Sequence, residues 1–145
     1  MKIINYILSK IYYAFYCFFV SLYKLNIQKV HTFKDKTVIS VGNITVGGAG
    51  KTPFVVLLSG ILDNINAKHA IVSRGYGREV SQTLVVNDID NNNSLVVGDE
   101  PLMLRSLLQH TPIIVGNKID AIKLGINNYK INTFLIDDAF QTFKL

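Results

Sequence analysis

With 145 residues, 49% of them hydrophobic, the chain is long enough for one compact domain with a buried core and too short for two large ones. The formal charge of +5 sits entirely in the first 36 residues, where six lysines face one aspartate; the remainder carries nine charges of each sign, so the basic balance does not mark a nucleic-acid-binding protein. A single cysteine, Cys17, rules out a disulfide framework or a thiolate metal cluster and fits a reducing compartment.

Residues 3–25, IINYILSKIYYAFYCFFVSLYKL, predict a helix within an N-terminal membrane-associated segment, 1–30. Its uncharged run, 11–23, is thirteen residues long, short of the about 20 that a spanning helix needs. At helical spacing Ile3, Ile7, Ile11, Phe15, Phe18, Leu22 and Leu25 share one side, and Lys2, Asn5, Ser9, Tyr12, Tyr16, Tyr23 and Lys24 the other. That is the pattern of a helix lying in a membrane interface, tyrosines at headgroup depth and lysines toward anionic lipid. A spanning anchor, a buried core helix and a cleavable signal peptide are the competing readings, the last without a small-residue cleavage site to support it. Lys24, Lys29, Lys34 and Lys36 would keep the following domain on the cytoplasmic face, making the protein peripheral or monotopic.

Residues 37–52, TVISVGNITVGGAGKT, organise the rest of the chain. A short β-branched run leads into glycines and then Gly50-Lys51-Thr52, the pattern of a buried strand feeding a phosphate-binding loop that opens a helix. In that geometry backbone amides and the helix N-terminus point at a nucleotide's phosphates, Lys51 adds a cation, and the Thr52 hydroxyl can hold Mg²⁺. Thr45 stands where the common form of the loop has its first glycine, and Pro53 suits a first helical turn.

Beyond the loop, strands are expected at 37–42, 68–73, 83–87, 111–116 and 132–137 and helices at 52–65, 100–109 and 118–129, with a polar surface loop at 88–94. The alternation predicts an α/β fold, residues 37–145 forming a P-loop NTPase-like nucleotide-binding domain whose mostly parallel sheet has helices on both faces.

Four stretches fall where strands end, the edge at which open α/β sheets bind ligands. In 133–141, TFLIDDAFQ, an apolar strand runs into Asp137 and Asp138, suited to the acidic element beside a magnesium site or to a turn pair. In 96–101, VVGDEP, Asp99 and Glu100 either accept a proton from an attacking hydroxyl or serve as the N-terminal charges of the next helix. In 73–78, SRGYGR, Arg74 and Arg78 match phosphate geometry or belong to a solvated loop. Asn117-Lys118-Ile119-Asp120 matches the guanine-reading tetrapeptide of GTPases, but no Asp-x-x-Gly precedes it in the required order. His31, His69 and His110 are isolated in sequence and read as surface or packing residues.

In order, VISVGNITVGGAGKTP (38–53), SRGYG (73–77), VGDEP (97–101) and DDAFQ (137–141) resemble the tetraacyldisaccharide 4'-kinase family, the lipid A 4'-kinases of Gram-negative bacteria, whose own loop pattern carries the early threonine. The resemblance implies transfer of the γ-phosphate of MgATP to the 4'-hydroxyl of a tetraacyldisaccharide 1-phosphate, giving lipid IVA, at the cytoplasmic face of the inner membrane. It implies that Thr45, Val46, Gly47, Gly48, Ala49, Gly50, Lys51 and Thr52 hold the ATP phosphates, with Arg74 and Gln141 in support. Asp99 and Lys51 take the catalytic roles, Asp99 as the base, and Thr52, Asp137 and Asp138 serve magnesium. The partners implied are the lipid substrate and the membrane surface, with no nucleic acid. The chain departs from the family at Ala139, usually glycine, and Thr142, usually histidine, and family members run to roughly twice this length. The expectation is therefore an N-terminal portion of such a kinase. A catalytically inactive, membrane-associated ATP-binding fragment is the alternative, and a GTPase-like switch the more distant one.

Overall fold

The computed structural model describes residues 2–25, 31–43, 50–86 and 93–137. They belong to two compact units that divide between residues 32 and 33.

Among its described residues the first unit carries one helix, α1 (Lys2–Lys24), uninterrupted by glycine or proline. Large side chains stand exposed around it, Ile7, Ile11, Phe15 and Phe18 on the side expected to be apolar and Tyr12 and Tyr16 on the other. The hydroxyls of Ser9 and Ser21 donate to the carbonyls of Tyr6 and Cys17 at 2.8 and 2.9 Å, which satisfies them within the helix. The Lys10 ammonium lies 5.5 Å from the centre of the Tyr6 ring, a cation held over an aromatic face. Among the described residues no helix is long and apolar enough to cross a membrane.

The second unit runs β1 (Thr37–Val41), α2 (Lys51–Asn64), β2 (His69–Ser73), β3 (Leu84–Val85), α3 (Ser94–Val97), α4 (Asp99–Leu107), β4 (Ile113–Val115), α5 (Lys118–Tyr129) and β5 (Thr133–Asp137). The strands form one mixed, mostly parallel sheet in the order β1-β5-β2-β4-β3, with only β3 antiparallel. All five expected strands and three expected helices form, their ends displaced by one or two residues at most. The expected loop 88–94 lies outside the described residues except for its last two. There Asn93 accepts the Leu95 amide at 2.9 Å and so caps the short α3, an element that the apolar run SLVV does not distinguish from strand.

Register sorts the core into two layers. Ile71, Ile113 and Leu135 share one face with Val41 and Val115 and pack with Val55 of α2 and Leu104 of α4. Ala70, Ile114, Phe134 and Ile136 take the opposite face, where Gly125 of α5 lies so close to Phe134 that a Cβ there would sit 2.6 Å from its ring. Helices therefore cover both faces, and β2 between them is buried at every residue, as a central parallel strand should be.

His69 takes the packing role. Its Nδ1 lies 2.9 Å from the Ala67 carbonyl, which can only accept, so that nitrogen carries the proton; Nε2 then accepts from Ser59 Oγ at 2.7 Å. Thr111 joins at 3.3 Å, tying α2 to the amino ends of β2 and β4.

Candidate functional site

The four parallel strands end at one edge, and the two helices that matter there begin at it. Gly50, at φ 72, takes the left-handed turn that starts α2, and no side chain caps that helix. A helix so opened presents its first-turn amides and the positive end of its dipole to an incoming anion. Lys51 and Thr52 are its first two residues, both half-buried. Asp137, only 2% exposed, ends β5 in register with Val41, the residue from which the chain leaves β1 toward the loop. Being two residues on from Leu135, it lies on the face covered by α2.

The Thr52 hydroxyl donates to Glu100 Oε1 at 2.9 Å, joining the start of α2 to the start of α4. The sequence offers Glu100, with Asp99, as a proton acceptor or a helix-start charge, and gives no sign that it meets Thr52. The missing signal is tertiary: only the packing of α2 against α4 brings Glu100, and not Asp99, onto Thr52. Asp99 is exposed in the first turn of α4, where a carboxylate is favoured by the helix dipole.

Two glycines let the SRGYG and VGDEP loops meet backbone to backbone. A Cβ on Gly75 (φ 66) would come within 2.5 Å of the Val97 carbonyl oxygen, and one on Gly98 (φ 92) within 2.9 Å of the Tyr76 carbonyl oxygen. The Glu79 amide donates to the Leu95 carbonyl at 2.7 Å and closes the same junction. Arg74 is left exposed just past β2. Arg78 turns inward instead, donating to the Gln82 and Ser81 carbonyls at 2.8 and 3.1 Å, and its partial burial pushes its pKa below the usual arginine value. Its guanidinium is thus committed to holding the loop rather than to reaching for phosphate.

Asn117, first of the GTPase-like tetrapeptide, caps α5, accepting the Ile119 amide at 3.0 Å. Helix capping accounts for its residue type without a guanine. Thr45, Val46, Gly47, Gly48, Ala49, Asp138 and Gln141 lie outside the described residues.

The donors gathered here are a hydroxyl and carboxylates, hard oxygen ligands of the kind that suit magnesium. Among the described residues no group of three or more histidine, cysteine, aspartate or glutamate side chains forms a metal cage. A divalent ion that keeps several waters and leans on one or two carboxylates plus substrate phosphates needs no such cage.

The profile of the family described as LpxK, tetraacyldisaccharide-1-P 4'-kinase, matches residues 1–145. The tetraacyldisaccharide 4'-kinase of Ruthia magnifica is 40% identical over 148 residues, covering 99% of this chain and 46% of that protein. That of Wigglesworthia glossinidia brevipalpis is 36% identical, covering 97% of this chain and 38% of the relative. Among solved structures, LpxK from Aquifex aeolicus in complex with ATP superposes with a TM-score of 0.82 at 33% identity, over 94% of this chain and 44% of that one. The chain thus spans less than half the length of the relatives it matches. A profile match along its whole length nonetheless settles descent: the chain belongs to the tetraacyldisaccharide-1-P 4'-kinase family.

Proposed function

We propose that this chain is the ATP-binding portion of a P-loop lipid kinase. The reaction moves the γ-phosphoryl group of ATP to the 4'-hydroxyl of a tetraacyldisaccharide 1-phosphate at the cytoplasmic membrane face. The observation that carries the reading is the hydrogen bond from Thr52 to Glu100, which sets the loop's hydroxyl against a carboxylate where a nucleotide's terminal phosphates would lie.

In this reading residues 45–52 wrap the phosphates, with the α2 amides and Lys51 neutralising their charge. Thr52, Asp137, Asp138 and Glu100 would hold magnesium directly or through water, and when bound it would supply neutralisation of phosphate charge. Asp99, exposed at the mouth, takes the proton of the 4'-hydroxyl as that oxygen bonds to the γ-phosphorus. The bond from that phosphorus to the β–γ bridging oxygen breaks, and ADP leaves with the electron pair. Arg74 and Gln141 contribute donors to the phosphates.

Glu100→Gln tests the carrying observation. Glutamine keeps an acceptor for Thr52, so the thermal midpoint should stay nearly unchanged while half-maximal ATP binding requires roughly tenfold more Mg²⁺, the scale of one hydrogen bond to a charged group. An unaltered Mg²⁺ requirement in calorimetric titration would confine Glu100 to packing. Radiolabel transfer from [γ-³²P]ATP to the disaccharide lipid then distinguishes a complete kinase from an ATP-binding portion.

The same reading places α1 in the interface, supported by an aromatic surface exposed on both sides of a helix too short in its apolar run to span. Such a helix keeps the domain near a substrate whose acyl chains stay in the bilayer. Phe15→Ser with Phe18→Ser should lower binding to phosphatidylglycerol-containing vesicles by about a hundredfold or more, at ~1.5 kcal/mol or more per phenyl ring removed from lipid. Co-sedimentation that does not respond to the pair would rule out insertion through that side.

A further inference from the structure

At the sheet edge opposite Lys51, where the parallel strands begin, lies a groove of about 350 Å³, within the roughly 300–1,000 Å³ of small-molecule sites. Tyr129 and Ile131 reach it from before β5, Lys68 from before β2, and His110 and Pro112 from before β4. It therefore crosses the ends of three neighbouring strands. Asp63, in the last turn of α2, lines it as well. Because α2 and α5 cover opposite faces of the sheet, Asp63 and Tyr129 flank the groove from its two sides.

The floor is polar and already satisfied. His69 and Thr111 are buried in it, and the bonds that join them to Ser59, with that of His69 Nδ1 to the Ala67 carbonyl, leave the imidazole no spare donor or acceptor. The rim is different. Lys68, His110 and Tyr129 are exposed, and among the described residues their side chains make no hydrogen bond or ion pair. Asp63 has only the imidazole edge at 3.8 Å, and 60% of its side chain is exposed. A closed turn holds Asp63 close to Lys68: the Asn66 and Ala67 amides donate to the Asp63 and Leu62 carbonyls, both at 2.9 Å, with Asn66 left-handed at φ 53.

Two opposite charges thus face one small volume. Asp63 sits at the negative end of the α2 dipole, and α5 also ends at the groove, so that side favours a ligand cation. Lys68 favours a ligand anion, and Tyr129, Pro112 and Ile131 add an apolar wall. We propose that the groove binds a small zwitterion with an apolar side chain, the chemistry of a free α-amino acid. Its ammonium lies against Asp63 and the end of α2, its carboxylate against Lys68 with His110 in support, and its side chain against Tyr129, Pro112 and Ile131. A ligand with one charge would leave Asp63 or Lys68 facing a like charge or none. A polyphosphate would be repelled by Asp63 and by both helix ends, so this is no second nucleotide site.

The site stands apart from the kinase reading, so its test uses no nucleotide. L-phenylalanine is titrated into the ¹⁵N-labelled chain and followed by NMR. Amides of residues 63–69, 110, 111 and 129–131 should shift together with one Kd of about 1 mM or below, the scale for a ligand of that size, while those of Lys51 and Thr52 stay in place. Phenethylamine and 3-phenylpropionate, each lacking one of the two charges, should bind about tenfold more weakly or worse. Asp63→Asn and Lys68→Met should each weaken L-phenylalanine binding by about tenfold or more. Both side chains are exposed, so the melting temperature should move by no more than a few degrees and a loss of binding reports the site rather than the fold. Absence of shifts at about 10 mM ligand, equal affinity for either singly charged analogue, or binding indifferent to both substitutions would overturn the proposal. So would shifts confined to Lys51 and Thr52.

Discussion

Lys51→Ala should weaken MgATP binding about 10- to 150-fold, the span expected when one hydrogen bond to a charged group, worth ~1.5–3 kcal/mol, is deleted. The effect has a ceiling because the substitution leaves the rest of the anion site in place. Gly50 still turns the chain into α2, and the first-turn amides and the helix dipole still face the phosphates. Transfer should suffer more than binding, by a further hundred- to thousandfold, since charge on the migrating phosphoryl oxygens is stabilised most strongly in the transition state. Lys68→Ala supplies the control. Lys68 is exposed and precedes β2, at the sheet edge away from the loop, so its loss should leave the titration unchanged. Equal ATP affinity in Lys51→Ala and the parent would refute the phosphate-loop reading.

Gly75→Ala should be among the most destabilising single-methyl changes in the domain. Alanine pays for a left-handed backbone at φ 66, and its Cβ meets the Val97 carbonyl oxygen at 2.5 Å, a backbone atom that moves only if the start of α4 moves. Together these amount to ~2–4 kcal/mol, or roughly 5–15 °C in Tm. Gly77→Ala separates the two causes, because at φ 82 it bears the conformational cost but nothing lies within 4 Å of its Cβ. It should lose only about 1 kcal/mol. Gly98→Ala strikes the same junction from the other side, so combining it with Gly75→Ala should cost less than the sum. Since the junction carries Arg74 on one loop and Asp99 on the other, ATP affinity should fall in Gly75→Ala and hold in Gly77→Ala. A Gly75→Ala protein as stable as Gly77→Ala would contradict the packing described.

The elements were legible because each is bounded by local chemistry. Apolar β-branched runs stop at glycine or polar turns, and Asn117 opens α5 by capping it. What resisted reading depends on partners distant in the chain. Nothing near β1 reveals that β5 separates it from β2, or that β3 runs antiparallel. Arg78 looks as fit for phosphate as Arg74 until its guanidinium is seen to hold the Ser81 and Gln82 carbonyls. The pairing of Glu100 with Thr52 was hidden for the same reason: the two stand 48 positions apart. Asp137 was found because a carboxylate ending an apolar strand is anomalous within the strand itself.

The pairing of β1 with β5 also governs the order in which the domain can assemble. The hydrogen bond from Lys36 Nζ to Asn132 Oδ1 at 2.6 Å marks where that pairing begins, and it closes a loop of 96 residues. Loop closure of that span must precede any reward from the contacts it makes, which slows folding. A ribosome would therefore release β1 early and leave it waiting for Thr133–Asp137 to emerge before it could dock. Completion of the edge at which α2 begins thus waits on a strand made long after the turn that opens that helix.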